Sequence, residues 1–148
     1  ALVHGAWDTK VSKIDLALRK YVSKGGERRV VVDRLDGKPS LTLVRSVESH
    51  GQTTLVQANL KTGRTHQIRV HLAHLHFPIL GDDKYGNFRL NKEFTKFGLR
   101  RMFLHAHQFS FSHPRNGSKI ELKSPISAEL RDVLVSIDRQ ESAKETKV

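Results

Sequence analysis

The chain has no cysteine among its 148 residues, which excludes disulfides, a thiol nucleophile and thiolate metal sites. It also has no apolar run approaching the roughly 20 residues needed to cross a bilayer, and Ala1-Leu2-Val3-His4-Gly5 is no signal peptide. An initiator methionine is missing too, so the chain is expected to begin inside a longer protein. Repeats and low-complexity stretches are absent. The scarcest resource is acid: 15 Asp and Glu stand against 26 Lys and Arg, for a net charge of +11 and a pI near 10.3. Such an excess attracts polyanions, nucleic acid first among them. A basic piece whose acidic partner domain lies elsewhere would show the same imbalance. With 37% hydrophobic and 28% charged residues, the expectation is one globular domain with a real core, no membrane partner and a cytoplasmic location.

Hydropathy patterning places the elements. Ala1 to Trp7 reads as the end of a strand, and Val11 to Leu18 puts Ile14, Leu16 and Leu18 on one strand face. A turn at Lys24-Gly25-Gly26-Glu27 precedes a short strand, Arg29 to Val32. Leu41 to Val47 and Thr53 to Leu60 flank His50-Gly51-Gln52, a hairpin signal. From Thr65 to His76 the period changes: Ile68, Leu72 and Leu75 form a helical stripe, with Thr65 suited to the N-cap. Asn91 to Phe97 fits a short helix. Phe103 to Phe111 and Ser118 to Leu122 fit a hairpin turning at Arg115-Asn116-Gly117, with Phe109, Phe111, Ile120 and Leu122 expected in the core. Ser127 to Ile137 closes the domain as a helix, leaving 139–148 as a frayed polar tail. The fold class expected is α+β, a mixed, mainly antiparallel sheet with a few packed helices, over residues 1–138.

One stretch carries chemistry. Leu60-Lys61-Thr62-Gly63-Arg64-Thr65-His66-Gln67-Ile68-Arg69-Val70-His71 combines a turn glycine, two arginines five residues apart and several hydrogen-bonding side chains where a strand becomes a helix. Convergent polar sites of this kind bind phosphates and extruded bases.

The segment Gly63 to His71 resembles the G-R-T-H-Q-I-R-V-H signature of the RluA-type pseudouridine synthases. Four further blocks follow the family order: Ala1 to Gly5, Asp36-Gly37-Lys38-Pro39-Ser40-Leu41-Thr42, Pro78-Ile79-Leu80-Gly81-Asp82-Asp83-Lys84-Tyr85-Gly86, and Met102-Phe103-Leu104-His105-Ala106 with His113-Pro114 behind it. The Asp82-Asp83 pair and the Leu99 to Ala106 block are most similar to the ribosomal large-subunit synthases of the C type. The resemblance implies a pseudouridine synthase catalytic fold and isomerisation of uridine to pseudouridine in large-subunit (23S) ribosomal RNA, with no metal and no organic cofactor. It implies that a carboxylate acts as nucleophile, that the target base leaves its stack, and that a cation beside the carboxylate keeps it ionised. Carried onto this chain, Arg69 takes the part of the arginine that pairs with the nucleophilic aspartate, and Ile68 that of the apolar residue near the uracil. Arg64, Thr65, His66 and Gln67 shape the loop and contact RNA.

The aspartate itself is expected elsewhere. In the family it sits in H-R-L-D-x-x-T-S-G, upstream of a K-x-Y-L-A whose tyrosine precedes the residue matching Ala1. Both would lie before residue 1, and the chain alone is expected to be inactive. Asp33-Arg34-Leu35-Asp36 imitates R-L-D, but Gly37-Lys38-Pro39-Ser40 follows it, so Asp36 is read as a turn residue capping its own backbone. The alternative function is a structured-RNA-binding module without chemistry. A zinc site is disfavoured: His71, His74 and Gln67 can share a helix face, but no H-E-x-x-H accompanies them. Tyr85, between glycines, fits a core anchor or an RNA contact. The cluster Arg89, Lys92, Lys96, Arg100 and Arg101 fits a solvated face or a phosphate-tracking patch.

Overall fold

Two β-rich runs separated by Gly51-Gln52 build the centre of the molecule. In the computed structural model, which describes residues 1–7 and 13–146, they are β5 (Leu41–His50) and β6 (Thr53–Leu60). His50 pairs with Thr53 across a two-residue turn whose first residue, Gly51, has φ +57°, as a type II′ turn requires. A bulge between Ser46 and Glu48 shifts the register by one residue at Val47, which stands 43% exposed. β1 (Leu2–His4) adds beside β6 and β2 (Lys13–Asp15) beside β5, giving the order β1-β6-β5-β2. β3 (Leu18–Val22) with β4 (Arg28–Val32), and β7 (Gln108–Ser112) with β8 (Lys119–Lys123), form separate hairpins. Every described strand pair is antiparallel, within an α+β architecture.

Both faces of the central sheet are covered, and neighbouring residues divide between them. Leu2 and Leu55 pack with Leu80, Phe103 and the Leu130, Val133, Leu134 and Ile137 stripe of α3 (Ala128–Glu145). Val3 and Val56 pack with Ile14, Leu16, Val44 and the Leu72 of α1 (Gln67–His74). Adjacent strand residues point to opposite faces, so Leu2-Val3 and Leu55-Val56 each serve two cores at once. α2 (Phe88–Phe94) and a 3₁₀ turn at Thr95–Phe97 cover one end, with Asn87 capping Leu90 N–H.

Several expectations change in three dimensions. The Ile14, Leu16, Leu18 alternation is buried throughout, yet it crosses from β2 to β3, which belong to different sheets; Val11 and Ser12 lie outside the described residues. α1 begins one residue later than a Thr65 cap would set it: the N-cap is His66, in the left-handed region at φ 53°, and no side chain caps it. The polar stretch beyond 138 is helical to Glu145, because Glu141 pairs with Lys144 along the helix and Thr146 Oγ1 donates to Ser142 O. Phe109, Phe111 and Leu122 are 63%, 38% and 54% exposed, so the β7–β8 ribbon has strand period but no cover among the described residues. In the Asp33-Arg34-Leu35-Asp36 turn the capping acid is Asp33, not Asp36. Its Oδ1 accepts the N–H groups of Leu35 and Asp36. Those backbone bonds and Arg19 hold the Asp33 carboxyl down to about 2.

Candidate active site around Arg69

The site is organised by a side chain that faces inward. Gln67, the first residue of α1, is 2% exposed and satisfies all its hydrogen-bonding capacity inside the protein. Its Oε1 accepts from Thr62 Oγ1 at 2.8 Å and Arg64 N at 2.9 Å. Its Nε2 donates to Leu41 O at 3.0 Å and Thr42 Oγ1 at 2.9 Å. The turn leaving β6, the start of α1 and the start of β5 are thereby tied together. The chain of bonds continues: Thr42 Oγ1 meets His71 Nδ1 at 2.9 Å, and His71 Nε2 meets Leu16 O at 2.9 Å. A carbonyl only accepts, so His71 carries its proton on Nε2, and burial keeps this fully enclosed imidazole neutral by lowering its pKa. His74, by contrast, is exposed. Replacing Gln67 by alanine leaves the Arg64 N–H and the Thr62 hydroxyl without their acceptor, and should lower stability by about 2 kcal/mol in a denaturant titration. An unchanged midpoint would show that water takes over the role of the amide.

Two residues further along α1, Arg69 points to the other side. Its Nε and Nη2 donate to Asp82 Oδ2 and Oδ1 at 2.8 and 2.7 Å, a bidentate pair. Asp82 is 1% exposed and also accepts the N–H groups of Lys84 and Tyr85, each at 2.9 Å. Burial alone would raise its pKa; the Arg69 guanidinium and the two backbone donors outweigh that and hold it below the usual carboxylate value. The loop can wrap Asp82 this tightly because of its glycines. A Cβ on Gly81, at φ +78°, would lie 2.3 Å from Arg101 O, and one on Gly86 would lie 2.3 Å from Asp82 O. Asn91 clamps the same turn, donating to Asp82 O and accepting from Gly81 N.

Tyr85 closes the cluster. Its hydroxyl accepts from Val30 N at 2.9 Å and meets His66 Nδ1 at 2.9 Å, while its ring lies between Arg69 (5.1 Å to Cζ) and Arg29 (5.5 Å). The pKa of His66 is lowered by burial and by Arg69 and Lys84. Tyr85 is thus an anchor of the site itself.

The signature residues divide accordingly. Arg64 and Thr65 are exposed, Arg64 donating through Nε to Pro39 O at 3.2 Å. His66 and Ile68 are half-buried, Ile68 against the α1-side core. Arg69 keeps 15% of its side chain in contact with solvent, and the exposed Asp83 stands 3.6 Å from its Nη2. Gln67 has no face toward solvent. The residues that sequence reasoning did not assign are Asp82 and Tyr85. The signal available for them was an acid and an aromatic enclosed by two glycines, inside a block already matched to the family.

A strand-to-helix turn carrying Arg64 to Arg69, fixed from below by Gln67 and from the side by Asp82, is an anion-directed site on an antiparallel sheet. Residues 2–74 match the RNA pseudouridylate synthase family, and the chain belongs to that family. Among individual relatives, the ribosomal large subunit pseudouridine synthase C of Pasteurella multocida (strain Pm70) is 39% identical over 143 residues, covering 97% of this chain and 44% of that protein. The protein of the same name from Escherichia coli (strain K12) is 39% identical over 136 residues, covering 90% of this chain and 42% of its own length. The chain therefore spans less than half the length of these relatives. Among solved structures, human RNA Pseudouridylate Synthase Domain Containing 1 superposes with a TM-score of 0.68 at 28% identity, over 84% of this chain and 52% of that one. Human RNA Pseudouridylate Synthase Domain Containing 4 gives the same TM-score at 20% identity, a likeness of fold.

Proposed function

We propose that the protein carrying this chain isomerises uridine to pseudouridine in large-subunit ribosomal RNA, and that Arg69 is its catalytic cation. The observation that carries the reading is the state of Arg69: a guanidinium held bidentately by a buried acid on one edge while keeping a solvent-facing edge. A cation so placed stabilises a second carboxylate brought to its open side. The reaction cleaves N1–C1′, turns the uracil and joins C5 to C1′; the C5 hydrogen leaves and N1 gains a proton. The names of the relatives support ribosomal RNA as substrate, and such work belongs in the cytoplasm. Among the described residues no helix is long and apolar enough to cross a membrane.

The nucleophile is assigned to an aspartate outside this chain. Asp82 is unsuited to attack, since its oxygens are committed to Arg69 and to backbone N–H groups. Asp83 and Asp36 are the exposed acids nearby, Asp36 on the wall of a cavity shared with Arg64 and Thr65. The full occupation of Asp82 by Arg69 favours a second reading, an RNA-binding module without chemistry. Tritium release from 5-tritiated uridine in unmodified large-subunit ribosomal RNA separates them. Release by an N-terminally extended chain but not by residues 1–148 is the expected result. Release by residues 1–148 would return the role to Asp83 or Asp36, to be resolved by Asp83→Asn and Asp36→Asn. No release by either chain, with RNA still bound, would favour the binding module.

A further inference from the structure

Beside the signature turn the molecule has a trough whose cations are not neutralised. Two cavities, of about 380 and 460 Å³, share Lys20, Val30 and Thr65 as a common wall. The first extends under Val22 and Arg28 toward His66; the second extends past Lys38 to Arg64. Strand pairing explains the arrangement. Lys20 faces Val30 and Val22 faces Arg28 across the β3–β4 hairpin, so all four share one face, which looks toward the Gly63–Thr65 turn. The hairpin's five paired positions span about 17 Å at strand rise.

Charge and shape together distinguish this surface from others. Arg19 is paired with Asp33 and Arg29 with Glu27, but Lys20, Arg28, Lys38 and Arg64 make no ion pair among the described residues. On the rival basic surface around α2, Arg89 is paired with Glu93 and Arg101 with Glu129, while Lys92, Lys96 and Arg100 make no ion pair among the described residues, and neither of the two cavities beside Thr65 reaches them. The trough thus combines four cations unpaired among the described residues, one exposed acid, Asp36, on its wall, and an apolar floor, where Val22 is 64% exposed. A polyanion that also presents flat, less polar faces matches both features; single-stranded RNA does, whereas an acidic peptide supplies the charge alone.

We propose that the RNA strand flanking the target nucleotide runs along this trough, with phosphates on Arg28 at one end, on Lys20 midway, and on Lys38 and Arg64 at the other end. The inference rests on the RNA-modifying reading above and adds to it the path of the substrate. Each phosphate contact to a single strand contributes about 0.7 to the slope of log K against log salt. Binding of the full chain to a fluorescein-labelled oligouridylate, titrated across salt concentrations, should therefore give a slope shallower by about 1.4 in Lys20→Ala/Arg28→Ala than in the parent. The exposed Lys123→Ala, on β8, should leave the slope unchanged. Both replaced residues are exposed, and circular dichroism of the variants should match that of the parent.

An unchanged slope in the double variant, with the parent binding normally, would overturn the trough and leave the RNA reading intact. Failure of the parent to bind any oligouridylate or ribosomal RNA would remove both. Displacement of the labelled RNA by polyglutamate at equal charge would show a general polyanion patch and likewise overturn the proposal.

Discussion

Arg69→Ala is expected to lower pseudouridine formation by the extended protein at least about 100-fold, the usual loss when one positioned donor is removed from a reacting centre. Arg69→Lys should do nearly as badly. A lysine keeps the charge but presents a single donor point, whereas Asp82 is held by two parallel N–H bonds from one planar group. RNA affinity should change little in either variant, because one partly buried cation is a small share of a net charge of +11. Single-turnover rates measured at saturating RNA separate these effects. Retention of more than a tenth of the rate by Arg69→Lys would mean that charge alone suffices. The guanidinium geometry would then be structural.

Asp82→Ala is the second large expectation, and it is a stability effect. Removing the acid leaves Arg69 without its buried partner and frees two backbone N–H groups, those of Lys84 and Tyr85. We expect a loss of about 3 kcal/mol, the lower end for breaking a buried ion pair, because Arg69 retains a solvent-facing edge. A double-mutant cycle should show coupling: Arg69→Ala and Asp82→Ala together should cost less than the sum of the two alone. The effect also has a pH signature. The Asp82 carboxyl titrates below its ordinary value of 3.8, so its contribution is complete above that pH and is lost as the pH falls through the folded-state value. The stability gap between parent and Asp82→Ala should therefore be constant near neutrality and narrow in acid. Equal stability of the two proteins at pH 7 would show that the pair is decoration.

The contrast between Arg69 and Asp82 shows where reading the chain stops. Arg69 stands out in the sequence because its surroundings in the motif are local: a turn glycine, a strand ending and a helix beginning within ten residues of Leu60. Nothing in that stretch says which acid will meet it 13 positions later. That choice depends on Gly81 and Gly86 letting the loop close against Arg101 and on itself. Gln67 looked like a contact residue for the same reason. A glutamine beside two arginines suits an RNA surface, and only the β5 strand lying beneath it turns the amide into an internal clamp. The Asp33 and Asp36 exchange is subtler. Both acids flank one turn, and the Arg19 across the hairpin helps to decide which one caps it.

Period and cover differ in the same way. The alternation in Phe109, Phe111, Ile120 and Leu122 correctly indicates a β-ribbon, since the pleat repeats every two residues. Whether an apolar face is covered depends on what packs against it from elsewhere, and alternation carries no record of that. Leu55 and Val56 illustrate the opposite outcome, with consecutive apolar residues buried on two faces because α3 and α1 lie on opposite sides of the sheet. Element types, the hairpin turn at Gly51, the signature cation and the polyanion-seeking charge are short-range or additive properties, so the order and composition of residues suffice for them. The partner of Arg69, the inward turn of Gln67, the placing of Tyr85 between two arginines and the trough beside Thr65 arise from contacts between segments distant along the chain. Their geometry is set by packing and exists only once the sheet and its helices have closed.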